Sequence, residues 1–315
     1  MATKKPKSSS KSKTSKSTKS KSASTTTVKS VSEAPSTKTA VTTKSEAITR
    51  KPEEKKPIFK GFFSKKYEEN ESILTIFKDH KFYGALLGEI IGTALITLLL
   101  FALSLMGLST IATYSFAVIA IFIGVYAFSG ACLNPIITAG MMASRRMSVI
   151  RGVMYIIAEI IGAWIGWLIF NSFHLAGGDS AYAIPTMSEI AEGNFGIVTA
   201  IEFMAAIVVA FFYARAVKYK RSIFTFAAIV AGGFAFVMVI SYVVSAAFLS
   251  LSSNFIVNPA AALMFQIFPT SGENFGEIFG GICQALSVYA ILPMVGGVLG
   301  FYLSDFTAKL SGENE

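Results

Sequence analysis

The chain of 315 residues is 53% hydrophobic and 15% charged, with a mean hydropathy of +0.57, a balance that excludes an ordinary soluble domain and marks an integral membrane protein. Its formal net charge of +9 sits in a basic N-terminal tract and in short loops. No metal-binding, nucleotide-binding or hydrolase motif is present, His174 has no companion ligands, and the cysteines Cys132 and Cys283 lie in apolar segments with no sign of a disulfide framework.

Residues 1–75 open as MATKKPKSSSKSKTSKSTKSKS, with almost no apolar residue before Ile58. Such a tract cannot bury enough surface to fold, so a disordered cytoplasmic tail is expected. It carries no apolar stretch of signal-peptide type, which leaves targeting to the first span. Basic tracts also suit nucleic acid, but beside a membrane the expected partner is anionic lipid and no nucleic acid.

A bilayer core of about 30 Å takes about 20 apolar residues per helix. Six segments reach roughly that length, at approximately 83–108, 111–130, 149–171, 196–216, 222–248 and 279–304. Two further apolar pieces, approximately 134–144 and 258–268, are too short to span. At about 1.5 Å per residue each covers roughly half the core.

Lys and Arg near span ends stay in the cytoplasm. SRRMSVIR (Ser144–Arg151) and RAVKYKR (Arg215–Arg221) carry nearly all of the loop charge, whereas Leu103–Tyr114, Asn171–Asn194 and Leu249–Gly281 contain no Lys or Arg. Spans therefore alternate across the plasma membrane without contradiction, with both termini cytoplasmic. The first short piece then enters from the cytoplasmic side and the second from outside.

Both short pieces start with Asn-Pro, in FSGACLNPIITAGMMASRR (Phe128–Arg146) and SNFIVNPAAALMFQIF (Ser253–Phe268). Asn is a good helix N-cap, and Pro is favoured in the first turn because its missing N–H has no partner there anyway. Asn134, Pro135 and Ile136, and likewise Asn258, Pro259 and Ala260, are thus expected to open half-helices in mid-membrane. Irregular backbone at that depth is tolerated only where it is buried in protein or lines a water-filled cavity. The carbonyls of SGACL and SSNFIV, and the two Asn amides, are expected to face such a path. Glu89 in GEIIGT and Glu202 in AIEFMAA precede the two motifs by 45 and 56 residues. The fold class expected is an all-α membrane protein of six transmembrane helices plus two half-helices in an inverted repeat. Its repeats cover about 80–172 and 195–305 of a membrane domain at 76–305, with 306–315 a short cytoplasmic tail.

These segments resemble the aquaporin and glycerol-facilitator family, the major intrinsic proteins. GEIIGT, SGACLNPIITAG, AEIIGAWIG, IEFMAA, NPAAAL and ILPMVGGVLG stand in family order over about 80–305. The resemblance implies a homotetramer with a pore in every subunit, passing water, glycerol or other small neutral solutes by facilitated diffusion, without covalent chemistry or a cofactor. Aquaporin-type selectivity is itself the standing example of half-helix dipoles excluding cations.

The resemblance also implies a constriction, found by counting from each Asn. Tyr114 stands 20 before Asn134; Ala246 and Phe255 stand 12 and 3 before Asn258, and Ala261 stands 3 after it. The family usually has Arg at this last position, as NPAR. Ala261 predicts a wider, more apolar constriction, with proton and cation exclusion resting mainly on the half-helix ends. Tyr114 and Phe255 beside a small Ala246 look like the glycerol-conducting branch, since the water-selective branch commonly has His in place of Ala246. Ile136 replaces the Ala of the first motif and is expected to crowd the midpoint.

The membrane carboxylates Glu89, Glu159 and Glu202 carry two readings. Each is costly in hydrocarbon and is a candidate proton relay. The resemblance favours a structural role for Glu89 and Glu202, as acceptors for the half-helix loops. Glu159 stands where the family often has Gln, so a part in proton coupling stays open. Cys132, two before Asn134, is either a thiol reaching the pore or a buried inert one. Small residues in GEIIGT, GAWIG, GGFAF and GGVLG allow close helix approach in lipid. Two other functions remain in view: a proton- or ion-coupled transporter with broken helices, and a non-conducting scaffold or adhesion protein acting through its tail.

Overall fold

The structure, a computed structural model, describes residues 73–106, 111–178, 195–219, 222–244, 256–265 and 274–312. The expected basic tail lies almost wholly outside them. In chain order the helices are α1 (Ile73–Lys78), α2 (His80–Met106), α3 (Ile111–Ser129), α4 (Pro135–Ala143), α5 (Val149–Ala176), α6 (Phe195–Lys218), α7 (Ile223–Val244), α8 (Pro259–Met264), α9 (Phe275–Leu286) and α10 (Leu292–Leu310). A π-helical turn over Ser287–Ile291 joins α9 to α10, just ahead of Pro293, whose ring carries no N–H for a helical ladder.

Windows in His80–Ala102, Val149–Ala176, Phe195–Lys218, Ile223–Ser241 and Phe275–Leu310 are long and apolar enough to cross a bilayer, while the apolar stretch described within α3, Ser115–Ser129, is shorter. The chain is an all-helical, multi-span membrane protein, with no strand among the described residues. Helix starts follow local chemistry. Asp79 accepts the Lys81 N–H at 2.9 Å, the Ser222 hydroxyl accepts the Thr225 N–H at 3.0 Å, and Asn274 and Glu277 bond reciprocally at 3.0 and 3.1 Å, so orphan first-turn donors are met where α2, α7 and α9 begin. α10 runs on to Leu310, into the segment expected as a tail.

The polarity is inverted relative to a soluble bundle. On α2, Leu87, Ile91 and Leu95 are exposed at helical spacing, while Glu89, Thr93 and Thr97 are fully buried. Lipid supplies no hydrophobic drive between helices, so close packing through small residues must hold them. A Cβ on Gly162 or Gly166 of α5 would run into the backbone carbonyl of Ile90 or Ala94 on α2. A Cβ on Gly296 of α10 would lie 2.7 Å from the Phe203 carbonyl oxygen of α6, and one on Gly300 would strike that of Ile207. Other pairings also recur: α2 packs on α3 and α6 on α7, α3 meets α7, α4 lies against α10, and α8 against α5.

Candidate functional site

The short helices α4 and α8 start alike. Asn134 (φ −162°, ψ 122°) and Asn258 (φ −151°, ψ 102°) are extended, with Pro in the turn that follows. Asn134 Oδ1 accepts the Ile136 N–H at 3.0 Å; Asn258 Oδ1 accepts those of Ala260 at 3.1 Å and Ala261 at 3.3 Å. Capping thus uses the amide oxygens and leaves the nitrogens as donors. Asn134 Nδ2 donates to the Val257 carbonyl at 2.8 Å, and Asn258 Nδ2 to the Leu133 carbonyl at 3.2 Å. The two motifs clasp one another, and each amide retains a second N–H.

The residue before each Asn is left-handed: Leu133 at φ 55° and Val257 at φ 47°. Such a conformation costs a non-glycine residue on the order of 1–3 kcal/mol and persists only where neighbours over-determine it. Buried carboxylates do this. Glu89 accepts the N–H of Cys132 at 3.1 Å and of Leu133 at 2.6 Å. Glu202 accepts those of Ile256 at 2.7 Å and Val257 at 3.0 Å. With the opposite Asn on its carbonyl, each strained residue is held at both polar ends.

Glu159 differs. Its Oε1 accepts the Asn134 N–H at 3.2 Å and the Thr138 hydroxyl at 2.6 Å, whereas Oε2 is buried without a partner. The carbonyls of Ser129 and Gly130 accept from the hydroxyls of Tyr155 (3.2 Å) and Tyr213 (2.9 Å). In the SGACL stretch, then, the Ser129, Gly130 and Leu133 carbonyls are bound to protein donors, which narrows the set expected to face a path. Neither tyrosine was singled out by motif; the available signal was a phenol inside an apolar span, whose hydroxyl needs a partner when buried.

Cys132 is buried, with Sγ 3.8 Å from the Tyr213 hydroxyl, while Cys283 is exposed. Ile136 is fully buried and its Cγ2 faces Gly297 of α10, where an added Cβ would approach to 2.8 Å. Ala260 and Ala261 are fully buried in the first turn of α8. Tyr114 has its backbone in α3, but its side chain, and the whole of Ala246 and Phe255, lie outside the described residues.

Against this geometry, the family model described as Major intrinsic protein matches residues 76–303. The chain belongs to that family. The X-ray structure of the aquaglyceroporin from Plasmodium falciparum is similar to it with a TM-score of 0.55 at 15% sequence identity, covering 74% of this chain and 100% of that one. At that identity the likeness speaks for the fold. No curated protein matches the chain. This major intrinsic protein therefore has a channel-like membrane architecture and is not an enzyme. Among the described residues no group of 3 or more His, Cys, Asp or Glu side chains could hold a metal ion.

The far ends of α4 and α8 are anchored in this major intrinsic protein by contacts with the longer helices. The Tyr302 hydroxyl donates to the Ala143 carbonyl at 2.9 Å, and Arg146 pairs with Asp305 while lying 5.3 Å from the Phe301 ring centroid. Phe265, which ends α8, stacks on Phe101 of α2 at 3.9 Å, and Phe101 stacks on Phe170 of α5 at 4.9 Å.

Proposed function

We propose that this major intrinsic protein is a passive transmembrane channel for small uncharged solutes, glycerol or a similar polyol, and water. The observation that carries the reading is the clasp between Asn134 and Asn258, which brings both half-helix starts together with one amide N–H left on each. Spare neutral donors at a junction of broken helices suit hydroxyl-bearing solutes. On this reading α3 is the sixth span, α4 and α8 are the half-helices of an inverted repeat over about 80–172 and 195–305, and the recurring helix pairs support it. Tyr114, Ala246, Phe255 and Ala261 form the constriction. Subunits assemble as a homotetramer in the plasma membrane, termini cytoplasmic, with the basic tail on anionic lipid. The glycerol preference rests on Tyr114 and Phe255 beside the small Ala246 and draws support from a structural neighbour described as an aquaglyceroporin.

Light scattering from proteoliposomes after a step to external glycerol tests this. Rapid shrinkage followed by fast reswelling is expected; traces matching empty liposomes, for folded protein, refute the reading. Ala261→Arg is expected to lower glycerol flux roughly tenfold, because a guanidinium both narrows a small-residue site and adds fixed charge. Equal flux in the variant would remove Ala261 from the constriction. A proton-coupled transporter is favoured by one feature, the bare Glu159 Oε2, and predicts solute uptake that follows an imposed pH gradient.

A further inference from the structure

The two halves of the site are unequal. Gly162 and Gly166 meet α2 one residue and one turn beyond Glu89, as Gly296 and Gly300 meet α6 beyond Glu202. This register places Pro293 of α10 where α5 has Glu159, and Ala262 of α8 where α4 has Thr138. Glu202 spends both oxygens on the second loop. The first loop has Glu89, equally spent, and in addition Glu159, whose Oε2 is bare and fully buried.

We infer that Glu159 is a specificity-determining residue that weakens proton exclusion on the Asn134 side of the path, an inference that rests on the channel reading above. The nine-residue α4 presents its positive end at Asn134, and a carboxylate beside such an end offsets the field that repels cations. Glu159 is bonded to the Asn134 N–H itself, so it acts on the path through that peptide and across a low-dielectric interior rather than by touching solute. Its surroundings include Glu89 of α2 and Cys132 of the loop as titratable groups; burial and Glu89 oppose its charged form, and the hydrogen bonds from Thr138 and the Asn134 N–H favour it. With Ala261 in place of Arg, no guanidinium on α8 restores the balance.

Glutamine separates the charge from the hydrogen bonds, because its Oε1 accepts from Asn134 and Thr138 as the carboxylate does. Proton flux, from a pH dye trapped in proteoliposomes under a clamped potential, is measured beside glycerol flux on the same preparation. Glu159→Gln is expected to lower the ratio of proton to glycerol flux roughly fivefold. Thr138→Val strips one of the donors that favour the charged carboxylate, and is expected to lower the ratio in the same direction. An unchanged ratio in Glu159→Gln overturns the proposal, as does a raised one in Thr138→Val. Loss of glycerol flux in Glu159→Gln alone also overturns it, since the carboxylate would then be a structural requirement. Absence of glycerol flux from the unsubstituted protein refutes the channel reading instead.

Discussion

Glu202→Gln is expected to cost most of the folded protein, while the same exchange at Glu159 is expected to yield a folded one. Glu202 uses its two oxygens as acceptors for two adjacent backbone N–H groups, those of Ile256 and Val257. A primary amide has one acceptor and one donor end. Glutamine there must turn its NH2 toward one of the N–H groups, so a buried donor faces a donor. The unsatisfied N–H costs about 1–3 kcal/mol, and it falls on or beside Val257, a β-branched residue already held at φ 47°. Glu202→Leu removes both acceptors and is expected to be worse, by about 2–6 kcal/mol. Glu89→Gln meets the same obstacle through Cys132 and Leu133. Glu159 has its bonds on Oε1 alone, and an amide reproduces them. Yield of monodisperse protein in detergent and the thermal unfolding midpoint decide the matter. Equal midpoints for Glu202→Gln and Glu159→Gln would falsify the two-oxygen account.

Gly162→Ala is the second large effect expected, and Gly232→Ala is its control. A methyl on Gly162 lands on the carbonyl of Ile90, a backbone atom that cannot rotate aside, so α5 must lift off α2. Forcing one methyl into a packed contact costs typically about 1–3 kcal/mol, and here the whole helix pair is displaced, including the ground from which Glu89 and Glu159 reach the first loop. Gly232 of α7 has nothing within 4 Å of an added Cβ. Alanine there is expected to be neutral or slightly favourable, since it lowers the backbone freedom lost on folding. A thermal midpoint several degrees lower for Gly162→Ala, with Gly232→Ala near the unsubstituted protein, is the expected pair of results. Similar midpoints for both would mean that α2 and α5 are not in backbone contact.

Much of the architecture was legible because the bilayer is a strict solvent. Apolar runs of span length and the two Asn-Pro starts report local requirements: length against thickness, and cap chemistry in the first turn. Helix ends differed by a few residues, as at Leu310, where the last helix runs past the approximate span end at 304. The glycine pattern was legible only as a composition. GGFAF holds one glycine pressed on Phe212 and one facing open space, and no spacing rule separates Gly233 from Gly232, because the difference lies in what the neighbouring helix presents.

The pairings at the site were decided by tertiary structure. Glu89 and Glu202 could be named from sequence as candidate acceptors, yet each meets its N–H donors across 43 to 55 residues of chain. The reciprocal Asn134–Val257 and Asn258–Leu133 bonds join positions 123 and 125 residues apart. Whether an intramembrane carboxylate spends one oxygen or two is likewise settled by the angle at which a distant loop arrives. Caps, spans and charge are properties of neighbours along the chain, so they can be read from order alone. A hydrogen bond between helices depends on their mutual register, which close packing sets at Gly162, Gly166, Gly296 and Gly300.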